Sequence, residues 1–151
     1  MKARLKYAAS APATIEALSR LSSHSESEFA DHKLKVLVEL RVSQINGCAY
    51  CIDLHSHQAR ELGEKQQRLD CLPVWREVDF FDVREQAAFA WAEAVTLVAK
   101  SRVPDELFTE VARQFTDKEL VQLTVIIGLM NVWNRISISF RNAPAERRSI
   151  P

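Results

Sequence analysis

An all-α fold is what this sequence predicts, and three observations carry the prediction. Glycine, which weakens helix interiors, occurs only three times in 151 residues. Long runs are rich in Ala, Leu, Glu, Gln, Lys and Arg, which are strong helix formers. Apolar residues recur at intervals of three and four, and no stretch reads as a strand. Residues 1–151 have the length of one domain, enough to bury a core without disulfide staples.

The elements follow in order from local signals. Pro12 opens a first short helix to about Arg20, and "SSHSESE" after it reads as a polar break rich in helix-capping residues. A second helix runs from about Asp31 to Ile45, with Leu34, Leu37, Val38, Val42 and Ile45 on its apolar stripe. Asn46-Gly47 ends it, because this pair readily takes the left-handed conformation that closes a helix. The next helix starts at or beside Cys48 and runs to about Leu62, with Gly63 as its terminator. A short helix from Lys65 to Cys71 is stopped by Pro73. Asp82 caps "VREQAAFAWAEAVTLVAK", and Pro104 is placed as the first residue of a helix containing "DELFTEVARQF". Thr116 or Asp117 caps the last long helix, "KELVQLTVIIGLMNVWNRISISF".

That last helix is apolar on two faces. Leu120, Leu123, Ile127 and Met130 form one stripe, and Val121, Val125, Leu129 and Val132 form another. Such a helix is buried either at the centre of a monomeric bundle or between subunits of an oligomer, and the pattern alone serves both.

Acidic and basic residues balance at 20 each, without a long block of one sign, which excludes the basic footprint of a nucleic-acid binder. The first residues, "MKARLKYAASAPA", lack the apolar run of a secretory signal. The longest apolar run, Val125 to Met130, is far shorter than a bilayer needs. The expectation is a cytoplasmic protein away from membranes, where a cysteine pair stays reduced and reactive.

The chemistry concentrates in "INGCAYCIDLHSH", residues 45–57. With Cys48 at a helix start, Cys51 three residues on and His55 four beyond that share one face, about one turn apart. Two influences lower thiol pKa values there: the positive helix terminus, strongest at Cys48, and the imidazole, best placed for Cys51. The sequence leaves open which sulfur attacks. The break at Asn46-Gly47 lets the preceding helix turn back, so Glu39 can reach His55 and orient its ring. The competing reading of Glu39 is a surface salt bridge with Lys35.

Other readings compete as well. Buried cysteines also pack as small apolar residues. A zinc site would use Cys48, Cys51 and His55 with His57 or Cys71 as fourth ligand, but ligands on successive turns of one helix fit tetrahedral closure poorly. His57 lies about 200° around the helix from His55 and reads as a surface residue. Cys71 reads as a packed apolar residue, and Trp133, between Asn131 and Asn134, as a pocket or core residue.

The stretch "ELRVSQINGCAYCIDLHSHQARELG", with "LPVWRE", "AAFAWAEAVT" and "LMNVWNR" further on, resembles the alkylhydroperoxidase AhpD-like, carboxymuconolactone decarboxylase superfamily over roughly residues 30–140. The resemblance implies a helical fold assembled into trimers or hexamers. It implies hydroperoxide reduction in which Cys51 attacks and Cys48 resolves the sulfenic acid as a disulfide, with His55 as base and Glu39 at the far end of a proton relay. No cofactor beyond that redox pair is implied, and an external dithiol or protein reductant closes the cycle. Two departures stand out: the family's relay glutamate falls twelve residues before the first cysteine, where this chain has Val36, and Tyr50 replaces a histidine. A decarboxylase-type lyase and a non-catalytic redox-sensing oligomer are the alternatives. The lyase has no need of a cysteine pair.

Overall fold

A computed structural model describes residues 2–146. All regular structure among the described residues is helical: α1 (Tyr7–Ser10), α2 (Pro12–Glu28), α3 (His32–Asn46), α4 (Ala49–Glu61), α5 (Gln66–Cys71), a 3-10 segment (Leu72–Glu77), α6 (Val83–Thr96), α7 (Val98–Ser101), α8 (Asp105–Ala112) and α9 (Asp117–Phe140). α3 is the hub and packs against α4, α6 and α9, while α9 also touches α2, α4 and α6. Leu37, Leu40, Val42, Phe89, Leu123 and Ile127 are fully buried where α3, α6 and α9 meet.

Capping chemistry sets the boundaries nearest the site. The Asp31 side chain accepts from Leu34 N at 3.0 Å and starts α3. Gly47, at φ 70°, closes it, and the Gly47 and Cys48 N–H groups donate to the Gln44 and Ser43 carbonyls. A left-handed residue costs glycine little, so the chain reverses here within two residues. Asp82 and Thr116 each form a capping box, with Glu85 and Glu119 respectively, so Thr116 and not Asp117 caps α9.

Four expectations are corrected. α2 does not end near Arg20 but continues through the serine-rich run to Glu28. It packs on α9, where Trp133 Nε1 donates to Ser22 Oγ at 2.9 Å and Ser25 is buried. Tertiary contact therefore overrides weak helix propensity. α5 ends at Cys71 as expected, but the chain stays helical past Pro73, which lies in the first turn of the 3-10 segment, where a missing N–H is harmless. The helix after Asp82 breaks at Leu97 into α6 and α7. Pro104 caps α8 from outside rather than opening it.

Helix α9 divides as its two stripes foretell. Leu120, Leu123, Ile127 and Met130 are buried, whereas Val121, Val125 and Val132 are exposed and Leu129 is half-buried. The six-residue run from Val125 understates this helix: its 24 residues are long and apolar enough to cross a membrane by length and composition. Its contacts with four other helices assign it a core position.

Candidate active site

The corner between α3 and α4 is tied to α9 by amides. Asn46 Nδ2 donates to Asn131 Oδ1 at 3.0 Å and to Asn134 Oδ1 at 2.8 Å, while Asn134 Nδ2 donates to Ser43 Oγ at 3.1 Å. Asn134 and Ser43 are fully buried, so the bond between them is shielded from water. These amide bonds fix Cys48 as the residue preceding α4 and Cys51 at its first turn.

Both thiols are free and buried, with their Sγ atoms 2.7 Å apart. At that separation the pair titrates as a unit and, once one proton is lost, shares the other. Hydrogen bonding with Cys51 holds Cys48 down to about 6, and the same interaction, with burial, pushes Cys51 up. Ser137 Oγ lies 4.0 Å from Cys51 Sγ. A disulfide, at about 2.05 Å, needs only a small closing movement.

A cavity of about 250 Å³ opens beside this pair, and Cys51 lines it whereas Cys48 does not. Ionisation therefore favours one sulfur and access favours the other. His55 and Glu39 line the same cavity. His55 Nδ1 lies 2.9 Å from Gln58 Oε1 and 3.5 Å from Glu39 Oε2. Gln58 Oε1 is an acceptor, and donation to it from Nδ1–H leaves Nε2 with its lone pair. That Nε2 is buried without a hydrogen-bond partner among the described residues.

Burial governs both titrations. Desolvation lowers His55 to about 4, so the ring is neutral at physiological pH. Desolvation raises Glu39 to about 7, only partly offset by Lys35. Lys35 Nζ stands 3.0 Å from Glu39 Oε2 and 2.8 Å from Glu26 Oε1. The Lys35–Glu39 bridge thus exists as the spacing anticipates, but it is buried and not on the surface. Val36, at the family's relay position, lines a neighbouring cleft with His32 and Leu62, which shares Glu26, Lys35 and Gln58 with the Cys51 cavity.

The remaining candidates lie elsewhere. His57 is half-buried, with its side chain paired to Glu61 at 3.2 Å, and Cys71 is half-buried on α5. Among the described residues no group of three or more His, Cys, Asp or Glu side chains is placed to hold a metal ion. Trp133 lines the cavity with Ile126, Leu129 and Met130 from α9. Sequence reasoning missed Tyr7, Glu26, Gln58 and Ser137, which also line the walls. Gln58 had a readable signal, three residues after His55 on the same helix. The others arrive from distant segments and had none.

Known proteins fit this picture. The carboxymuconolactone decarboxylase family model matches residues 12–94. YdfG, an uncharacterized protein of Bacillus subtilis, is 38% identical over 147 residues, covering 97% of this chain and all of its own length. The crystal structure of ATU0492 from Agrobacterium tumefaciens, a protein of unknown function provisionally assigned to antioxidant defence as an AhpD, superposes with a TM-score of 0.93 at 38% identity, over 96% of this chain and 100% of its own. The debrominase Bmp8 shares the fold alone, with a TM-score of 0.77 at 20% identity over 91% of this chain and 74% of its own. With its helical fold and its cysteine pair at the head of α4, this chain belongs to the carboxymuconolactone decarboxylase family and has the AhpD-like fold.

Proposed function

We propose that the protein reduces organic hydroperoxides through Cys51 and Cys48. The observation that carries this reading is that Cys51 faces a cavity with His55 and Glu39 while Cys48 sits behind it, sulfur against sulfur. Moving the shared proton onto Cys48 puts the negative charge on the sulfur that substrate can reach. The Cys51 thiolate attacks the terminal oxygen of R–O–O–H, the O–O bond breaks, and Cys51 becomes a sulfenic acid as RO⁻ departs and is protonated. The Cys48 thiol then attacks Cys51 sulfur, forming the disulfide and releasing water. His55 Nε2 acts as the base for the pair, and Glu39, titrating near neutrality, passes its proton onward.

The cycle requires an external dithiol or protein reductant and no cofactor beyond the cysteine pair. The exposed valines of α9 support a homo-oligomer, trimer or hexamer, and the setting is cytoplasmic. The family's name keeps a lactone decarboxylase in play as the alternative, since His55 and Glu39 could serve acid–base chemistry without the thiols. A redox-sensing oligomer would use the pair without turnover.

One equivalent of an alkyl hydroperoxide added to fully reduced protein, with mass spectrometry over time, tests the reading. A Cys48–Cys51 disulfide that a dithiol reverses is expected, and Cys51→Ser should abolish continuous peroxide consumption. Unreacted thiols in folded protein would overturn it. Lactone turnover that survives Cys51→Ser would establish the decarboxylase, and disulfide formation without sustained turnover would indicate the sensor.

A further inference from the structure

The N-terminal segment contributes almost nothing to the core. Among residues 2–14 every side chain is exposed except Tyr7. Yet the segment is fastened to the far end of α9: Arg4 N donates to Phe140 O at 3.0 Å, Arg4 Nη1 donates to Ser139 O at 3.1 Å, and the Tyr7 ring stacks on Phe140 with centroids 6.0 Å apart and planes 27° apart. The effect of this strap is to place Tyr7 in the wall of the Cys51 cavity.

The cavity is two-sided. Ile126, Leu129, Met130 and Trp133 make an apolar wall on α9, and His55, Glu39 and Lys35 make a polar one. Its volume of about 250 Å³ lies below the usual range for drug-sized ligands and suits a small organic molecule with one polar end. Tyr7 has no hydrogen-bond partner among the described residues, so its O–H is a free donor. Burial and the neighbouring Tyr50, Cys51 and Cys48 hold its phenol above the ordinary tyrosine value, which keeps that donor protonated at neutral pH.

We propose that Tyr7 is a catalytic residue, the acid that protonates the departing alkoxide of a small alkyl hydroperoxide held in the Cys51 cavity. This inference rests on the peroxidase reading and supplies the proton donor which that reading leaves unnamed. As the S–O bond forms and the O–O bond breaks, the electron pair stays on RO⁻. Tyr7 Oη–H gives its proton to that oxygen, producing ROH and a tyrosinate, which takes a proton back from the His55–Glu39 relay or from solvent. The strap thereby completes a site whose base lies on α4 and whose acid comes from a different part of the chain.

The test uses the leaving group. Tyr7→Phe keeps the ring that stacks on Phe140 and removes only the hydroxyl. Single-turnover disulfide formation is followed in the full-length reduced protein with tert-butyl hydroperoxide, whose alkoxide needs a proton, and with peracetic acid, whose carboxylate does not. Loss of a general acid should slow the first reaction about a hundredfold and leave the second nearly unchanged. Equal slowing with both oxidants would make Tyr7 a merely structural residue, and no slowing with either would remove it from the reaction. Both outcomes overturn this inference while leaving peroxide reduction intact. A wild-type protein inert to both oxidants would overturn the peroxidase reading, and this inference with it.

Discussion

Glu39, buried, and Glu93, half-buried, are two glutamates packed around α3, and they have opposite surroundings. Glu93 is saturated: Oε1 accepts from Arg41 Nε at 3.0 Å, Arg41 Nη2 at 2.8 Å and Trp75 Nε1 at 3.0 Å, while Oε2 accepts from Arg76 Nη1 at 2.7 Å. Desolvation alone would raise its pKa, but the bonds from Trp75, Arg41 and Arg76 hold it below the ordinary carboxylate value. Glu39 has Lys35 at ion-pair distance, but its Oε2 accepts no hydrogen bond, and desolvation carries it to about 7. A saturated carboxylate stays ionised and fastens α3, α6 and the 3-10 segment together. An undersatisfied one exchanges protons near neutrality, which suits a relay and not a clamp.

Breaking the saturated cluster should have the larger effect. Glu93→Gln leaves two guanidinium groups without their counter-charge and is expected to cost about 3 kcal/mol of stability, measured by urea unfolding. The peroxide reactivity of the folded fraction should stay at the wild-type level. A loss below about 0.5 kcal/mol would place Glu93 among ordinary surface ion pairs. Glu39→Gln should also act on reactivity. Its stability should differ from wild type in a pH-dependent way, because Gln removes the raised carboxyl titration, while peroxide-driven disulfide formation near pH 7 slows about tenfold, less than loss of a direct general acid or base. Wild-type kinetics in that variant would leave Glu39 as a buried charge without a role in proton transfer.

The same contrast explains what the sequence makes legible. Cys48, Cys51 and His55 lie on neighbouring turns of α4, so their spacing alone brings them together. Glu39 is one tight turn away, and the reversal at Asn46-Gly47 is written in its residue types. The burial of Lys35 was hidden, because an i,i+4 pair looks the same on an inner or an outer face. Glu26, Ser22 and Ser25 were hidden by composition: their serine-rich stretch reads as a break, and only contact with α9 keeps it helical. Tyr7 stands alone among exposed residues, with no periodicity to mark it. Glu93 was equally silent, since its partners Arg41, Trp75 and Arg76 come from two other segments.

The smallest effect is also the sharpest test, because two opposite slopes should cancel in the wild type. Glu39 rises from about 4.5 unfolded to about 7 folded, so the folded state binds the extra proton and stability falls as pH rises across that window. His55 drops from about 6.5 to about 4, so the unfolded state binds the extra proton and stability falls as pH drops from 6.5 toward 4. Between pH 4.5 and 6.5 folding therefore amounts to moving one proton from His55 to Glu39, with no net uptake from this pair. Neither group is among the principal causes of the other's shift, so each substitution should leave the other slope in place. In Glu39→Gln, unfolding free energy should climb with pH by up to about 1.4 kcal/mol per unit over this range. In His55→Gln it should decline at a similar rate. Glu93 and Glu64, whose pKa values are lowered, act below this window, where stability is lost as pH falls and they protonate. If Glu39→Gln and His55→Gln show the same pH dependence as wild type, Glu39 is ionised and paired with Lys35 in the folded protein, and the two glutamates differ in position alone.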